Sequence, residues 1–362
     1  MSPTTPTRSA LIERSVRILL DGQAPSGAFV ASPTYATYRF AWLRDGSFCA
    51  DALDRHAQPE AAAAFHAWVC RTILAMRPTV ERVTAAARTM GAAAMLPTRF
   101  ELDGRTESGE EDWPNFQLDG YGTWLWAFAE HVERRGTDLE DHERIVVELV
   151  AGYVAAAGDR PCYDCWEELV ERRHASTLAA SVAGLRAAAH LLGDHELATV
   201  GSVLTEILER DLVRDGAFVK HDATDSVDGS LLWLALPFRV VALDDPRFVR
   251  TAERVEAELG VPDGGVRRYL GDTFYGGGEW ILLTAWSGWV HHAAGRPEVA
   301  CERLAWIEAQ ASEDLELPEQ VGEHPQDPAR VAEWLQRWGP VATPLLWSHA
   351  MYLTLVHEIG AR

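Results

Sequence analysis

No uninterrupted run of eighteen apolar residues occurs in this 362-residue chain, so no segment reads as a hydrophobic span. Cysteine is scarce and odd in number, five in all, which argues against a secreted disulfide scaffold and for free thiols in a cytoplasmic setting. Cys162 and Cys165 form a Cys-x-x-Cys pair, but no second pair follows at zinc-finger spacing, and a structural zinc needs about four ligands. No metal and no cofactor is expected. Basic residues are outnumbered, 33 Lys and Arg against 54 Asp and Glu, for a net charge of −21. That balance disfavours nucleic acid and anionic membranes as partners but does not repel a small neutral ligand. The N-terminal stretch lacks the apolar run of a signal peptide. There is no phosphate loop either: Gly276-Gly277-Gly278 has no following Lys-Ser/Thr and no strand before it. His291-His292 lack the i, i+4 spacing of a two-histidine metal face, and Asp222, Asp225 and Asp228 lie in a mixed loop.

What the chain has is helix. Hydrophobic residues make up 47% and charged residues 24%, an ordinary globular composition. Apolar spacing predicts helices over 10–20, 45–56, 60–76, 118–135, 138–157 and 176–192. Further helices follow over 194–210, 229–236, 246–259, 279–294, 297–311, 329–337 and 343–359, with no convincing strand series. In 176–192, Leu178, Val182, Leu185, Ala189 and Leu192 share one face. Gly193 and Asp194 then close that helix and cap the next. Residues 1–9 read as a loose tail, and 10–362 as a single domain.

The connections alternate between short and long. Short ones fall near 57–59, 136–137, 193–194 and 295–296, and long ones near 22–44, 97–117, 158–175, 211–228, 260–278 and 313–342. Six helical hairpins joined by six long loops put those loops on one end, the layout of an (α/α)6 barrel with buried inner and amphipathic outer helices. Loops of this length on a rigid scaffold are where function is expected.

The long loops hold aromatics and charges together. Tyr35, Tyr38, Phe40 and Trp42 precede Arg44-Asp45; Glu110, Glu111 and Asp112 precede Trp113; Trp166 precedes Glu167-Glu168. Arg267, Arg268 and Tyr269 precede Glu279-Trp280, and Glu316 and Glu319 lie in the last loop. Aromatic rings cover the apolar face of a pyranose, and two carboxyl groups, one protonated and one ionised, are the minimum equipment for cutting a glycosidic bond. No histidine–nucleophile pairing competes with that chemistry.

Five of these segments, in order, resemble glycoside hydrolase family 15, the glucoamylase family. They are Tyr38–Asp45, Trp166-Glu167-Glu168, Arg268-Tyr269 with Gly277–Trp280, Leu317–Gln320, and Pro344–Ala350. The resemblance implies an (α/α)6 catalytic domain and inversion at the anomeric carbon. It implies Glu167 as general acid and Glu319 as general base, Arg44 and Asp45 as ligands of the terminal glucose, and Tyr38, Trp42, Trp166 and Trp280 as pocket walls. Glu168 and Arg268 would hold further hydroxyls, and Trp113 would shape the next subsite. Bacterial members usually carry an N-terminal β-sandwich, which is not seen before the first helix here. The resemblance is closest to single-domain members that cut α-1,6-linked glucose from isomaltose, with α-1,4 oligosaccharides and trehalose as alternatives. A catalytically silent sugar-binding barrel would not need both carboxyl groups.

Overall fold

The computed structural model describes residues 7–106 and 115–361. In chain order the helices are α1 (Arg8–Asp21), α2 (Leu43–Arg55), α3 (Pro59–Ala75), α4 (Arg77–Ala86), α5 (Asp119–Arg135), α6 (Asp141–Ala157) and α7 (Ala175–Leu192). They continue as α8 (His195–Asp211), α9 (Pro246–Leu259), α10 (Ile281–Ala293), α11 (Pro297–Ala309), α12 (Pro328–Trp338) and α13 (Leu346–Glu358). Among the described residues, seven two-residue strands lie in the long loops: β1 (Ala41–Trp42), β2 (Arg99–Phe100), β3 (Val213–Arg214), β4 (Ala217–Phe218), β5 (Val266–Arg267), β6 (Glu279–Trp280) and β7 (Gln320–Val321).

Side-chain character sorts the helices into two rings. The first eleven residues of α2, α10 and α13 are all buried; α10 and α13 are apolar nearly all round, whereas α2 carries Arg44, Asp45 and Asp51 inward as members of ion pairs. On α9, by contrast, the buried set is Phe248, Thr251, Ala252, Val255 and Leu259, one stripe at helical spacing. The inner ring runs α2, α5, α7, the 3-10 segment Gly229–Leu234, α10 and α13, which packs back on α2. The outer helices α3, α6, α8, α9, α11 and α1 back it. The architecture is an (α/α)6 barrel. By length and composition alone α7 could cross a membrane, but it is an inner stave and mostly buried.

Small residues set the closest approach. A Cβ on Gly122 of α5 would lie 2.3 Å from the Ala180 carbonyl oxygen of α7, and one on Gly184 would lie 2.6 Å from the Gly122 oxygen. The barrel axis is filled by aromatics from four inner elements. Phe48 stacks on Trp347 at 5.5 Å, and Trp233 and Trp286 lie 5.0 Å apart. This plug closes the barrel beneath the long loops.

Several boundaries differ from the sequence expectations. α1 starts at Arg8 rather than Ala10, because the Thr7 hydroxyl accepts from Ala10 N, so the helix enters the stretch read as tail. α4 was not anticipated; Pro78 seats in its first turn, where a missing N–H costs nothing. The expected helix 229–236 is a 3-10 segment of six residues. Glu279-Trp280 is not the start of a helix but the central strand of a three-stranded sheet, β5-β6-β7. An apolar run does not distinguish those two states. The short strands as a class were not read from the sequence, since two residues carry no alternation.

Candidate active site

The long loops converge on a pocket of about 410 Å³, within the usual range for small-ligand sites. Its lining includes Tyr38, Trp42, Arg44, Asp45, Trp166, Glu167, Glu168, Arg268, Trp280 and Glu319, ten of the eleven residues singled out in the sequence. The eleventh, Trp113, lies outside the described residues, as do Glu110, Glu111 and Asp112. Glu316 points elsewhere and pairs with Arg14 at 3.1 Å.

The segment 164–168 is a tight turn braced by Asp164, whose Oδ1 accepts from both Trp166 N and Glu168 N at 2.9 Å. Glu167 sits at φ 69°, the left-handed region that a side chain rarely occupies. That conformation turns the two neighbouring glutamates to different surroundings. Trp42 Nε1 donates to Glu167 Oε1 at 3.0 Å, and Gln117 Nε2 reaches the same oxygen at 3.4 Å. Glu167 is half-buried and lines the cavity, and burial lifts its carboxyl pKa to about 7.

Glu319 is held from two sides. Gln320 lies in register with Trp280, and Glu319 N donates to the Ala342 carbonyl at 2.9 Å. The preceding residues are tied to α13: Ser348 Oγ donates to the Pro318 carbonyl at 2.8 Å, and Leu317 N donates to His349 Nε2 at 2.9 Å. Tyr38 Oη donates to Glu319 Oε1 at 2.9 Å, while Oε2 is buried without a hydrogen-bond partner among the described residues. Burial lifts this carboxyl to about 8.

Glu168 has the opposite environment. Burial acts to raise its pKa, but the charges of Arg268 and Lys220 and the Tyr269 hydroxyl outweigh it, and the pKa falls below the ordinary value. Lys220 Nζ lies 3.1 Å from Glu168 Oε2, and Tyr269 Oη donates to Oε1 at 2.6 Å. Lys220 also contacts Asp228 at 3.3 Å and Asp164 at 3.5 Å, with its ammonium 3.3 Å from the Tyr269 ring centroid. Asp228 in turn accepts from Trp166 Nε1 at 3.0 Å and caps the 229–234 segment through Ser230 N. Arg268 is gripped by Asp272 through two hydrogen bonds, at 2.8 and 2.6 Å. Its guanidinium lies 5.3 and 5.0 Å from the ring centroids of Trp166 and Trp280.

On the opposite wall, Arg44 donates to Asp119 at 2.9 Å and Gln117 at 3.0 Å, and its second terminal nitrogen lies 3.3 Å from Asp45. Several buried polar atoms of the lining have no hydrogen-bond partner among the described residues: Arg44 Nε, Trp280 Nε1, Trp347 Nε1 and Glu319 Oε2. Native interiors rarely leave such groups unpaired. Donors and acceptors alternating among indole faces suit a polyhydroxylated ring, which presents both hydroxyls and apolar C–H faces. The thiols of Cys162 and Cys165 are buried, which raises the pKa of Cys162 to about 12 and that of Cys165 well above the ordinary value, away from the thiolate form that binds metal.

Sequence reasoning did not pick out Lys220, Asp164, Asp228, Asp272, Gln117 or Trp347 as site residues. One signal was available: Lys220 is the only lysine among the 33 Lys and Arg residues. Asp228 was weighed only as part of an aspartate series.

The profile of the family described as glycosyl hydrolases family 15 matches residues 7–335. An isomaltose glucohydrolase from Kribbella flavida is 44% identical over 360 residues, covering 97% of this chain and 92% of that protein. A solved structure described as a wild-type glycosidase superposes with a TM-score of 0.92 at 42% identity, covering 97% of this chain and 96% of that one. A variant of a glycosidase solved in complex with glucose gives the same values. A bacterial glucoamylase complexed with acarbose matches with a TM-score of 0.77 at 20% identity, over 98% of this chain and 56% of that one, and shares the fold. The chain belongs to glycosyl hydrolases family 15 and is a glycoside hydrolase.

Proposed function

We propose that this enzyme releases β-D-glucose, with inversion, from the non-reducing end of short α-1,6-linked oligosaccharides such as isomaltose. The observation that carries the reading is the meeting of Glu167 and Glu319, from separate loops, on one pocket closed below by the aromatic plug. A pocket closed at its base admits a chain end rather than a chain middle. The preference for isomaltose rests on the 44% identical relative.

In this reading Glu167 protonates the glycosidic oxygen as the C–O bond breaks. Glu319 takes a proton from a water that attacks the anomeric carbon from the opposite face. The bond gains one water across it, and the two carboxyl groups end in exchanged states. Inversion calls for a separation of about 6.5–9.5 Å between them, room for that water. The unpartnered Glu319 Oε2 suits the water, and the Tyr38 hydrogen bond favours the ionised form of Glu319. Arg44 and Asp45 hold hydroxyls of the terminal glucose, Glu168 and Arg268 hold others, and Tyr38, Trp42, Trp166 and Trp280 wall the ring. Five unbridged cysteines support a reducing compartment, and we place the enzyme in the cytoplasm acting on an imported sugar.

Proton NMR of a fresh isomaltose digest tests the proposal. β-Glucose appears first if it holds; α-glucose first refutes inversion. Comparing kcat/KM for isomaltose, maltose, maltotriose and trehalose decides the linkage.

A further inference from the structure

Helix α12 stands outside the double ring, and none of its residues is buried. It packs on the 274–276 turn. Its half-buried Trp334 meets Phe274 edge-on at 4.9 Å and lies over Tyr275 at 6.0 Å. Hydrogen bonds bolt both ends to the same loop. Asp327 N donates to the Gly276 carbonyl at 3.0 Å, and Tyr275 Oη donates to the Gly339 carbonyl at 2.8 Å. Gly276, at φ 81°, lets the turn approach so closely that a Cβ there would lie 2.7 Å from Val331. The helix is thus a rigid extension of the loop that carries Arg268 and Asp272.

Three residues of this helix, Trp334, Arg337 and Trp338, line the same pocket as Glu167 and Glu319. Arg337 lies between the two indoles, 5.5 Å from the Trp334 centroid and 5.3 Å from that of Trp338. Trp338 is 41% exposed, a large indole held at the surface where hydrophobic burial does not account for it. An indole with an arginine beside it offers a stacking face and hydroxyl donors, the chemistry of a pyranose platform.

We infer that the Trp334–Arg337–Trp338 face of α12 is the binding platform for the leaving-side sugar, resting on the reading above that the enzyme cleaves short α-glucosides. The terminal glucose occupies the closed end among Arg44, Asp45 and Trp347, so the leaving ring lies toward the mouth. An α-1,6 bond places a methylene between the scissile oxygen and that ring, which extends its reach toward the platform. Contacts remote from the reacting bond contribute to catalysis by holding the substrate in its reactive position.

The test uses two substrates sharing the terminal glucose: isomaltose, and α-D-glucosyl fluoride, which has no leaving sugar. The measured quantity is the ratio of their kcat/KM values within one preparation, so any inactive fraction cancels. Trp338→Ala and Arg337→Gln are each expected to lower the ratio roughly tenfold, with Trp338→Phe keeping most of it. Ratios within twofold of the original in both variants overturn the platform. An enzyme that cleaves the fluoride but not isomaltose removes the linkage reading alone; the ratio is then taken with the glucoside it does cleave, and the same criterion decides.

Discussion

Glu167 and Glu168 are adjacent in the chain, yet their carboxyl groups are driven in opposite directions. Glu167 faces Trp42 and is lifted to about 7, whereas Glu168, 3.1 Å from Lys220, is held below its ordinary value. The positive φ at Glu167 makes this possible by turning consecutive side chains to different walls. One glutamate retains a proton near neutral pH and the other a charge.

The acid and base roles separate by leaving group. Fluoride departs without a proton, so Glu167→Gln should lose about 10²–10⁴-fold on isomaltose but retain α-D-glucosyl fluoride hydrolysis. Glu319→Gln should lose both. With carboxyls near 7 and 8, kcat/KM of the unaltered enzyme should follow a bell in that range, belonging to the pair. In Glu167→Gln acting on the fluoride, only the rise through the Glu319 ionisation should remain. A Glu319→Gln enzyme that hydrolyses the fluoride normally contradicts the assignment.

Lys220 gathers three carboxylates, Asp164, Glu168 and Asp228, around one buried cation. Replacing it by Met leaves those charges without their shared partner. Breaking a buried ion pair typically costs about 3–5 kcal/mol. Lys220→Met should therefore lower the urea midpoint strongly, and kcat/KM with it; Lys220→Arg should recover part of both. An unshifted midpoint for the Met variant would rule out this role.

The α5–α7 crossing gives a stability test remote from the pocket. Gly122→Ala places a methyl 2.3 Å from the Ala180 carbonyl, backbone that has nowhere to move. Overpacking of this kind costs about 1–3 kcal/mol or more. Thermal unfolding should occur several degrees lower, whereas Gly136→Ala, with open space but φ 66°, should cost less. Equal melting temperatures for Gly122→Ala and the unaltered protein would refute the close packing.

His349 is buried between Leu317 N and Ser15, and burial lowers its pKa to about 3 from an ordinary value near 6.5. Its folded value lies below its unfolded value. Its contribution is therefore complete above about pH 6.5 and is lost as pH falls toward 3, at about 1.4 kcal/mol per unit. His349→Gln should flatten that part of the stability curve, read by denaturant unfolding from pH 7 to 4. An unchanged slope would locate the acid sensitivity elsewhere.

The double ring was legible because its helices are long and periodic, and because short and long connections alternate. What escaped depends on pairing at a distance. Glu279-Trp280 looks helical until β5 and β7 are seen on either side. The Lys220–Glu168 contact spans 52 residues and follows no local pattern. The motif residues of the pocket were recognisable from their order along the chain. The groups that set their charge, Lys220, Asp164, Asp228 and Asp272, belong to no short motif, and only the folded loops bring them together.

The single lysine also governs how the protein meets reagents. Lys220 is only 7% exposed, so its ε-amine is shielded, and the surface cations are guanidinium and imidazole. Succinimidyl esters will find almost nothing to acylate on the folded enzyme beyond its α-amine. Slow acylation of Lys220 then becomes a clock for the opening of the catalytic end of the barrel, read by mass at one position without any engineered probe.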